Sequence, residues 1–540
     1  MKKTHLLRAF LAAAAGTALL AAGPAVKAEA AVPGYLKAAT YFSDAWVTNF
    51  WNTESDHMEE ELAQIAADGF NSIILVIPWR EFQPTMMPVS YNSYAFKKLD
   101  AVMKAADRHD LAVEFRVGYT WDYYAEEGSV YRFQDLLRDP SVRTAWLAFA
   151  EKLYQVGKDH PNFHGGFMTW EDFWNYVEDA GTFGTGSYSR QQAESVGFQD
   201  YLCQNYTLTQ LNDLFQPAVP FESYSDIYIP GRRDYAYKLF YEFYDDFLYG
   251  LLEDTQKVFP GLSMEVRLDV DPVNGQDGTG SVGVPHDSTY PCGDSPYTSV
   301  MYSVSMGHGF GQQLSAAEAV KTMNEQLAAV RAKNGNKPVF IDQLLYMDAT
   351  EGFESNARLL ESHRGLFLMS IPDTLRTYTN GYAVWSYRNY TNNPVYNCQF
   401  ALGSRGWEVQ GGVTQERDGS MVMKLQAGGR LSQKIGHRIS GRRTHDNHVR
   451  FTAESEGEGP VTVEVALGSN VQTVEVDGSG TFDLDFGGIE YYEVSFQTDG
   501  DVYLDNIQVY NFVQDGQLRD IDGNELSCMG AIRALNAALN

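Results

Sequence analysis

"NSIILVIPW" (residues 71–79), "YAFKKLDAVMKAADRHD" (94–110) and "LAVEFRVGYTW" (111–121) together decide the fold. The outer two are apolar runs of strand length, rich in β-branched and aromatic residues. Between them Ala95, Leu99, Val102, Met103 and Ala106 recur at helical spacing, with charges on the other positions. Strands that are apolar on both faces need cover on both, so strand, helix, strand reads as a parallel pair with a crossover helix. The alternation extends in both directions. "YLKAATYF" (35–42) and "MEEELAQIAADGF" (58–70) come before it. After it come "VRTAWLAFAEKLYQVGKDH" (142–160), "GGFMTWEDF" (165–173), two long helical stretches (190–215 and 234–258), "SMEVRLDV" (263–270) and "TSVMYSVSM" (298–306). "AAEAVKTMNEQLAAVRAK" (316–333), "KPVFIDQLLYMD" (337–348), "ARLLESHRGLFLMS" (357–370) and "GYAVWSY" (381–387) complete the series. Eight strands in this rhythm predict a closed (β/α)8 TIM barrel, although no helix is evident before the sixth.

After Trp407 the period changes to two. "HVRFTAESEGEGPVTVEVALG" (448–468) and "QTVEVDGSGTFDLDF" (472–486) alternate apolar and polar residues between Gly and Asp breaks, which predicts an all-β, jelly-roll-like sandwich. At the other end, "MKKTHLLR" supplies positive charge and "AFLAAAAGTALLAA" a short apolar run, the pattern of an export signal. The expected organisation is a signal peptide over 1–30, the barrel over 31–400, the sandwich over 401–512 and a tail with a short helix over 513–540. The mature chain is expected outside the cell, as a monomer with no membrane span.

A formal charge of −29 over 540 residues repels nucleic acid and acidic glycans at long range, but not a neutral polysaccharide. Cys203, Cys292, Cys398 and Cys528 show no CxxC spacing, so zinc and redox motifs are unsupported, while an oxidising compartment allows one or two disulfides. "DVDPVNGQDG" (269–278) is rich in oxygen ligands but departs from calcium-loop spacing. No metal and no cofactor is assigned.

In such barrels chemistry sits at the C-terminal strand ends. Counting alternate positions along "HGGFMTWEDFWN" (164–175) puts Gly165, Phe167, Thr169 and Glu171 on one face, with Glu171 at the end among Trp170, Phe173 and Trp174. A carboxyl among indoles is partly desolvated and suited to protonate a leaving group, although Glu also commonly starts a helix. Trp79, Trp121, Asp122, Tyr302, His308, Tyr346 and Trp385 fall at or just beyond strand ends. There, with Trp170, they could stack on or hydrogen-bond to sugars; the same residue types also serve as core and rim.

"GGFMTWE" resembles the fourth-strand segment of clan A glycoside hydrolases, retaining (β/α)8 enzymes that include cellulases, mannanases and β-galactosidases. "VIPWREFQP" (76–84) is similar to their second-strand motif and "GYAVWSY" to their eighth. The resemblance implies that Glu171 is the acid/base, that Trp170 replaces the usual Asn, and that Trp385 floors a sugar subsite. "GDVYLDNIQVY" (500–510) resembles the last strand of a carbohydrate-binding module, with a purely stabilising domain as the alternative. Laid on the clan's seventh strand, "KPVFIDQ" puts Asp342 in a small-residue slot and Gln343 in that of the nucleophilic Glu. A carboxamide hydrogen-bonds but cannot attack an anomeric carbon. Three accounts stand open: a Glu-to-Gln replacement in an endo-acting β-glycosidase; Asp342 serving instead, turned inward by a strand twist or bulge or acting with a water as an inverting base; or a non-catalytic carbohydrate-binding or polysaccharide-assembly protein.

Overall fold

Eight parallel strands form a closed barrel in the computed structural model: β1 Leu36–Thr40, β2 Ser72–Pro78, β3 Ala112–Tyr119, β4 Phe163–Thr169, β5 Ser263–Val266, β6 Thr298–Ser303, β7 Val339–Leu345 and β8 Thr379–Val384. The structure describes residues 34–540 apart from 55–56, 122–123, 125–128, 348–351, 437–442 and 458, so the signal-peptide reading lies outside the described residues. β8 closes on β1 in register, Leu36 opposite Gly381 through Ala39 opposite Val384. Position 381 must be glycine, because a Cβ there would sit 2.7 Å from that of Leu36 and 2.9 Å from the Phe340 ring. Phe340, Phe167 and Tyr297 fill the barrel interior below the site.

The covering helices follow the sequence periodicity. They include α1 (Met58–Ala67), α2 (Ser93–Arg108), α3 (Pro140–Lys158), α4 (Tyr237–Gln256) and α5 (Ala316–Lys333). Asn92, Asp139 and Ser315 accept from first-turn backbone N–H groups at the N-termini of α2, α3 and α5, the last in a capping box with Glu318. The expected helix over 190–215 is instead three pieces, Ser187–Ser195, Phe198–Asn205 and Leu208–Phe215. Gly197, at φ 85°, breaks it once, and the Thr207–Gln210 capping box starts it again. Before β6, where no helical pattern was visible, an antiparallel hairpin (Asp271–Asn274 with Ser281–Val284) stands in place of a helix.

The sheet domain consists of antiparallel strands from Glu408–Arg417 to Val502–Val513, joined into one nine-stranded sheet that includes Tyr390–Asn392. Its inward positions, among them Val449, Phe451, Val463, Phe496 and Leu504, form a core separate from that of the barrel. The tail is not an appendage. Its helix α6 (Met529–Ala538) buries Met529, Ile532 and Leu535 in the barrel core. Tyr382 on β8 donates to Asn536 Oδ1 at 2.6 Å, and Lys37 on β1 donates to the Asn536 carbonyl at 3.3 Å. The helix therefore covers the outer face of β8 and β1, the place of an eighth barrel helix. The sheet domain is inserted before it. All four cysteines are free, so the allowed disulfides do not form.

Candidate active site

Four carboxyls and one guanidinium meet where β3, β4, β5 and β7 end. Arg116 on β3 donates from Nη2 to Glu171 Oε2 at 3.1 Å and to Asp172 Oδ1 at 3.3 Å. Asp172 also accepts from Thr169 Oγ1 at 2.6 Å. Glu171 opens a short 3-10 turn directly after β4 and leaves 34% of its side chain exposed. Asp172, Glu265 and Asp342 are all buried. Glu171 is thus the one acid of the four that reaches the mouth.

Asp342 and Gln343 both turn inward. In the β6–β7 pairing Val300 faces Ile341 and Met301 faces Gln343, leaving Asp342 as the unpaired residue of a β-bulge. The bulge breaks the alternation that would have sent the two to opposite faces. Ser299 Oγ donates to Asp342 Oδ2 at 2.5 Å. Gln343 Nε2 donates to Glu265 Oε2 at 3.3 Å and Glu171 Oε2 at 3.5 Å, so its amide bridges the open acid and a buried one.

A single buried cation cannot neutralise four acids, and the proton affinities of the three buried ones show it. Burial works against the Arg116 charge, but Asp172, Glu171 and Glu265 outweigh it and push its pKa well above the ordinary value. Burial raises Asp172 despite Arg116. Glu265 is raised well above the usual carboxyl range by burial and then by the charge of Asp342. Asp342 is pushed up to about 7 by burial, with Ser299, Arg116 and a hydrogen bond from Glu265 pulling the other way.

Aromatic rings wall the same mouth. The Arg116 guanidinium lies 5.0 Å from the Tyr119 ring and 6.0 Å from Trp385. Trp46, in the loop after β1, meets Trp385 edge-on at 6.0 Å and donates from Nε1 to the Trp121 carbonyl at 3.1 Å. The Trp385 ring thus lies beside Arg116, and the Trp121 backbone is tied to Trp46 at the same end of the barrel.

Other candidates are elsewhere. Trp79 is fully buried in the helix layer, edge-on to Trp146 and Phe133, and bonds Gln83 at 2.7 Å. Trp170 points out of the barrel, where its Nε1 donates to Asp245 at 2.7 Å and its ring lies 4.8 Å from His286. Of the rings expected around Glu171, Trp170 turns away and the carboxylate meets Arg116 instead; the side chains of Phe173 and Trp174 lie outside the described residues. Tyr302 reaches outward to the Ala319 carbonyl of α5 at 3.3 Å, and Tyr346 to the Gln517 carbonyl at 3.2 Å. Both are strand-end residues of outward parity. His308 lies in the loop after β6, where its backbone N–H donates to the Ser305 carbonyl at 3.2 Å. Asp122 lies outside the described residues. The sequence reading missed Glu265, Asp172 and Trp46. The signal for Glu265 was present, an acid at an inward position of the apolar strand "SMEV".

No protein-family model matches the sequence, and no curated protein is similar to it. Among solved structures the chain is similar to an exo-β-1,4-mannosidase from Opitutaceae bacterium strain TAV5 (13% identity, TM-score 0.38), covering 66% of this chain and 53% of that one. A GH5_18 structure from Streptomyces cattleya in complex with Manb1-4GlcNAc gives 14% identity and TM-score 0.40, over 66% and 72%. A β-galactosidase from Halorubrum lacusprofundi gives 11% and 0.43, over 65% and 53%. The chain spans about half the length of the first and third. The architecture rests on the strand pairing itself: a closed barrel of eight parallel strands followed by a mostly antiparallel β domain.

Proposed function

We propose that the chain is a secreted glycoside hydrolase that cleaves β-glycosidic bonds within a neutral polysaccharide, with Glu171 as the proton donor. The observation that carries this reading is the position of Glu171. It is the only acid of the cluster open to solvent, it is held by Arg116, and it stands beside a wall of Trp385, Trp46 and Tyr119. A group that must protonate a leaving oxygen has to reach it, and flat aromatic faces suit the apolar face of a pyranose. The acidic surface favours a neutral glycan over a charged one. Among the described residues no helix is long and apolar enough to cross a membrane. On the sheet domain, Tyr503, Arg417, Thr452 and Thr481 line a groove of about 410 Å³ that would suit a further glycan contact. Glu171→Gln should lower kcat on unactivated substrates by about 10² or more while leaving the fold and oligosaccharide binding intact. Unchanged hydrolysis in a folded variant removes Glu171 from the chemistry.

Gln343 favours a second reading. A neutral amide in the slot where related barrels carry a nucleophile suits a protein that grips glycan without turnover. Tight oligosaccharide binding by calorimetry, with no product after long incubation, would select it.

A further inference from the structure

Hydrolysis of a glycoside needs a second carboxyl opposite the proton donor, and Gln343 cannot supply it. The nearest carboxyl to that amide, besides Glu171, is Glu265. Both bond the same nitrogen, at 3.5 Å and 3.3 Å, so those two carboxylate oxygens are at most about 7 Å apart, a ceiling that reaches the short end of the spacing of a pair that works through a water. Behind Glu265 lies Asp342, hydrogen-bonded to it and anchored by Ser299 at 2.5 Å. The order inward from the mouth is therefore Glu171, Gln343, Glu265, Asp342, Ser299, one continuous line of hydrogen-bonding groups drawn from β4, β7, β5 and β6.

Resting on the hydrolase reading, we infer that Glu265 is the base of an inverting reaction, with Gln343 holding the attacking water and Asp342 receiving the displaced proton. The water oxygen bonds to the anomeric carbon as the bond to the leaving oxygen breaks. That oxygen takes the proton of Glu171. The water proton goes to the Glu265 oxygen beside Gln343, and Glu265 passes its own proton to Asp342. Atoms and charge balance, and the anomeric centre inverts.

The proton inventory agrees with this order. The groups facing Glu265 are Asp342, Arg116, Glu171 and Asp172; burial first, and then the Asp342 charge, raise its proton affinity well above the ordinary carboxyl range against Arg116, while Asp342 is pushed up to about 7. A protonated Glu265 cannot act as a base alone. With an ionised Asp342 behind it, it accepts one proton as it gives up another. Asp342 is in this account a positioning residue whose ionisation sets the acid limb of the pH profile.

The test uses the full chain with 4-nitrophenyl β-glucoside, β-mannoside and β-galactoside and with β-linked oligosaccharides, following the first-formed anomer by proton NMR. The account expects the α-anomer first, a loss of about 10² or more in kcat for Glu265→Gln with KM little changed, and an acid limb moved to lower pH in Asp342→Asn. That shift follows because removing the neighbouring charge lets Glu265 ionise more easily. Were Glu265→Gln too unstable to assay, the anomer formed by the unaltered chain decides by itself. A β-anomer first, or full activity in folded Glu265→Gln, overturns Glu265 as base and leaves the hydrolase standing. No hydrolysis of any of these substrates by the unaltered chain overturns both.

Discussion

Asn536, four residues from the C-terminal Asn540, accepts a 2.6 Å hydrogen bond from Tyr382 on the last barrel strand, 154 residues earlier. The contact ties the end of the chain to the closing seam of the barrel. Asn536 also donates to the Asp68 carbonyl at 3.0 Å, and the Asp68 carboxylate is held by Arg519 and Arg533 at 2.8 Å and 2.7 Å.

A chain ending near residue 405 therefore loses the helix that covers β8 and β1, although the sequence pattern alone would place that cut between domains. We expect such a chain not to unfold cooperatively. The milder Ile532→Ala, in a fully buried position, should cost about 2–5 kcal/mol. Circular dichroism melting checks both, and a truncated chain with the melting temperature of the full one would refute the assignment of this helix to the barrel.

His286 should confer stability that is lost in alkali. It lies 3.0 Å from both Asp245 on α4 and Asp271 on the hairpin, with Arg267 on Asp271 and the Trp170 and Tyr241 rings beside it. Burial opposes its charge, but the two aspartates outweigh burial and hold its pKa at about 9, above the ordinary 6.5. A pKa raised on folding contributes stability that is complete below about 6.5 and lost as pH rises through 9, here on the order of 3 kcal/mol. Melting temperatures of the native chain and His286→Ala should converge between pH 6.5 and 9.5. A constant gap across that window would show that the ring acts by packing alone.

Asp342 should also make stability fall as pH rises, over a lower window and as a penalty rather than a lost gain. Asp342 binds its proton more tightly folded than unfolded, so between about pH 4 and 7 the unfolded state holds fewer protons and stability falls as pH rises. Asp342→Asn removes that penalty. It should raise the melting temperature by several degrees at pH 8 and by little at pH 4; equal effects at both would mean the carboxyl is not the cause.

Gln343→Glu conserves volume but puts a fifth carboxyl beside Glu171 and Glu265. With one guanidinium at hand, the variant should be less stable at pH 8 than at pH 5. Where it remains folded it should yield the β-anomer first, since a carboxylate in that slot can attack directly. The α-anomer from both proteins would mean that position 343 does not face the anomeric carbon.

The barrel was legible because eight apolar runs separated by helical periods admit few other arrangements, and the β domain because period two is unambiguous over strands such as Asn447–Ser455, whose burial alternates. Parity also sorted the site in part. Tyr302 follows Met301 on a strand whose Ser299 faces in, so its outward direction could have been read from the sequence. The bulge at Asp342 could not, because it arises from the register with β6 and leaves no mark in β7 itself. Nor could the place of "CMGAIRALNAALN", whose apolar stripe shows a buried face but not which core receives it. Trp170 was misplaced for a related reason: its partners Asp245 and His286 come from segments more than 70 residues away.

The claim that Glu171 delivers a proton to the departing sugar oxygen is tested most directly by rate against leaving-group acidity in Glu171→Ala. Aryl β-glycosides from 2,4-dinitrophenyl to phenyl, and a β-linked disaccharide, span the range. A missing general acid matters little when the leaving group departs unaided, so the account predicts near-native rates at the dinitrophenyl end and a loss of about 10² or more at the phenyl and disaccharide end. A loss of the same size on every substrate, or none on any, would contradict it.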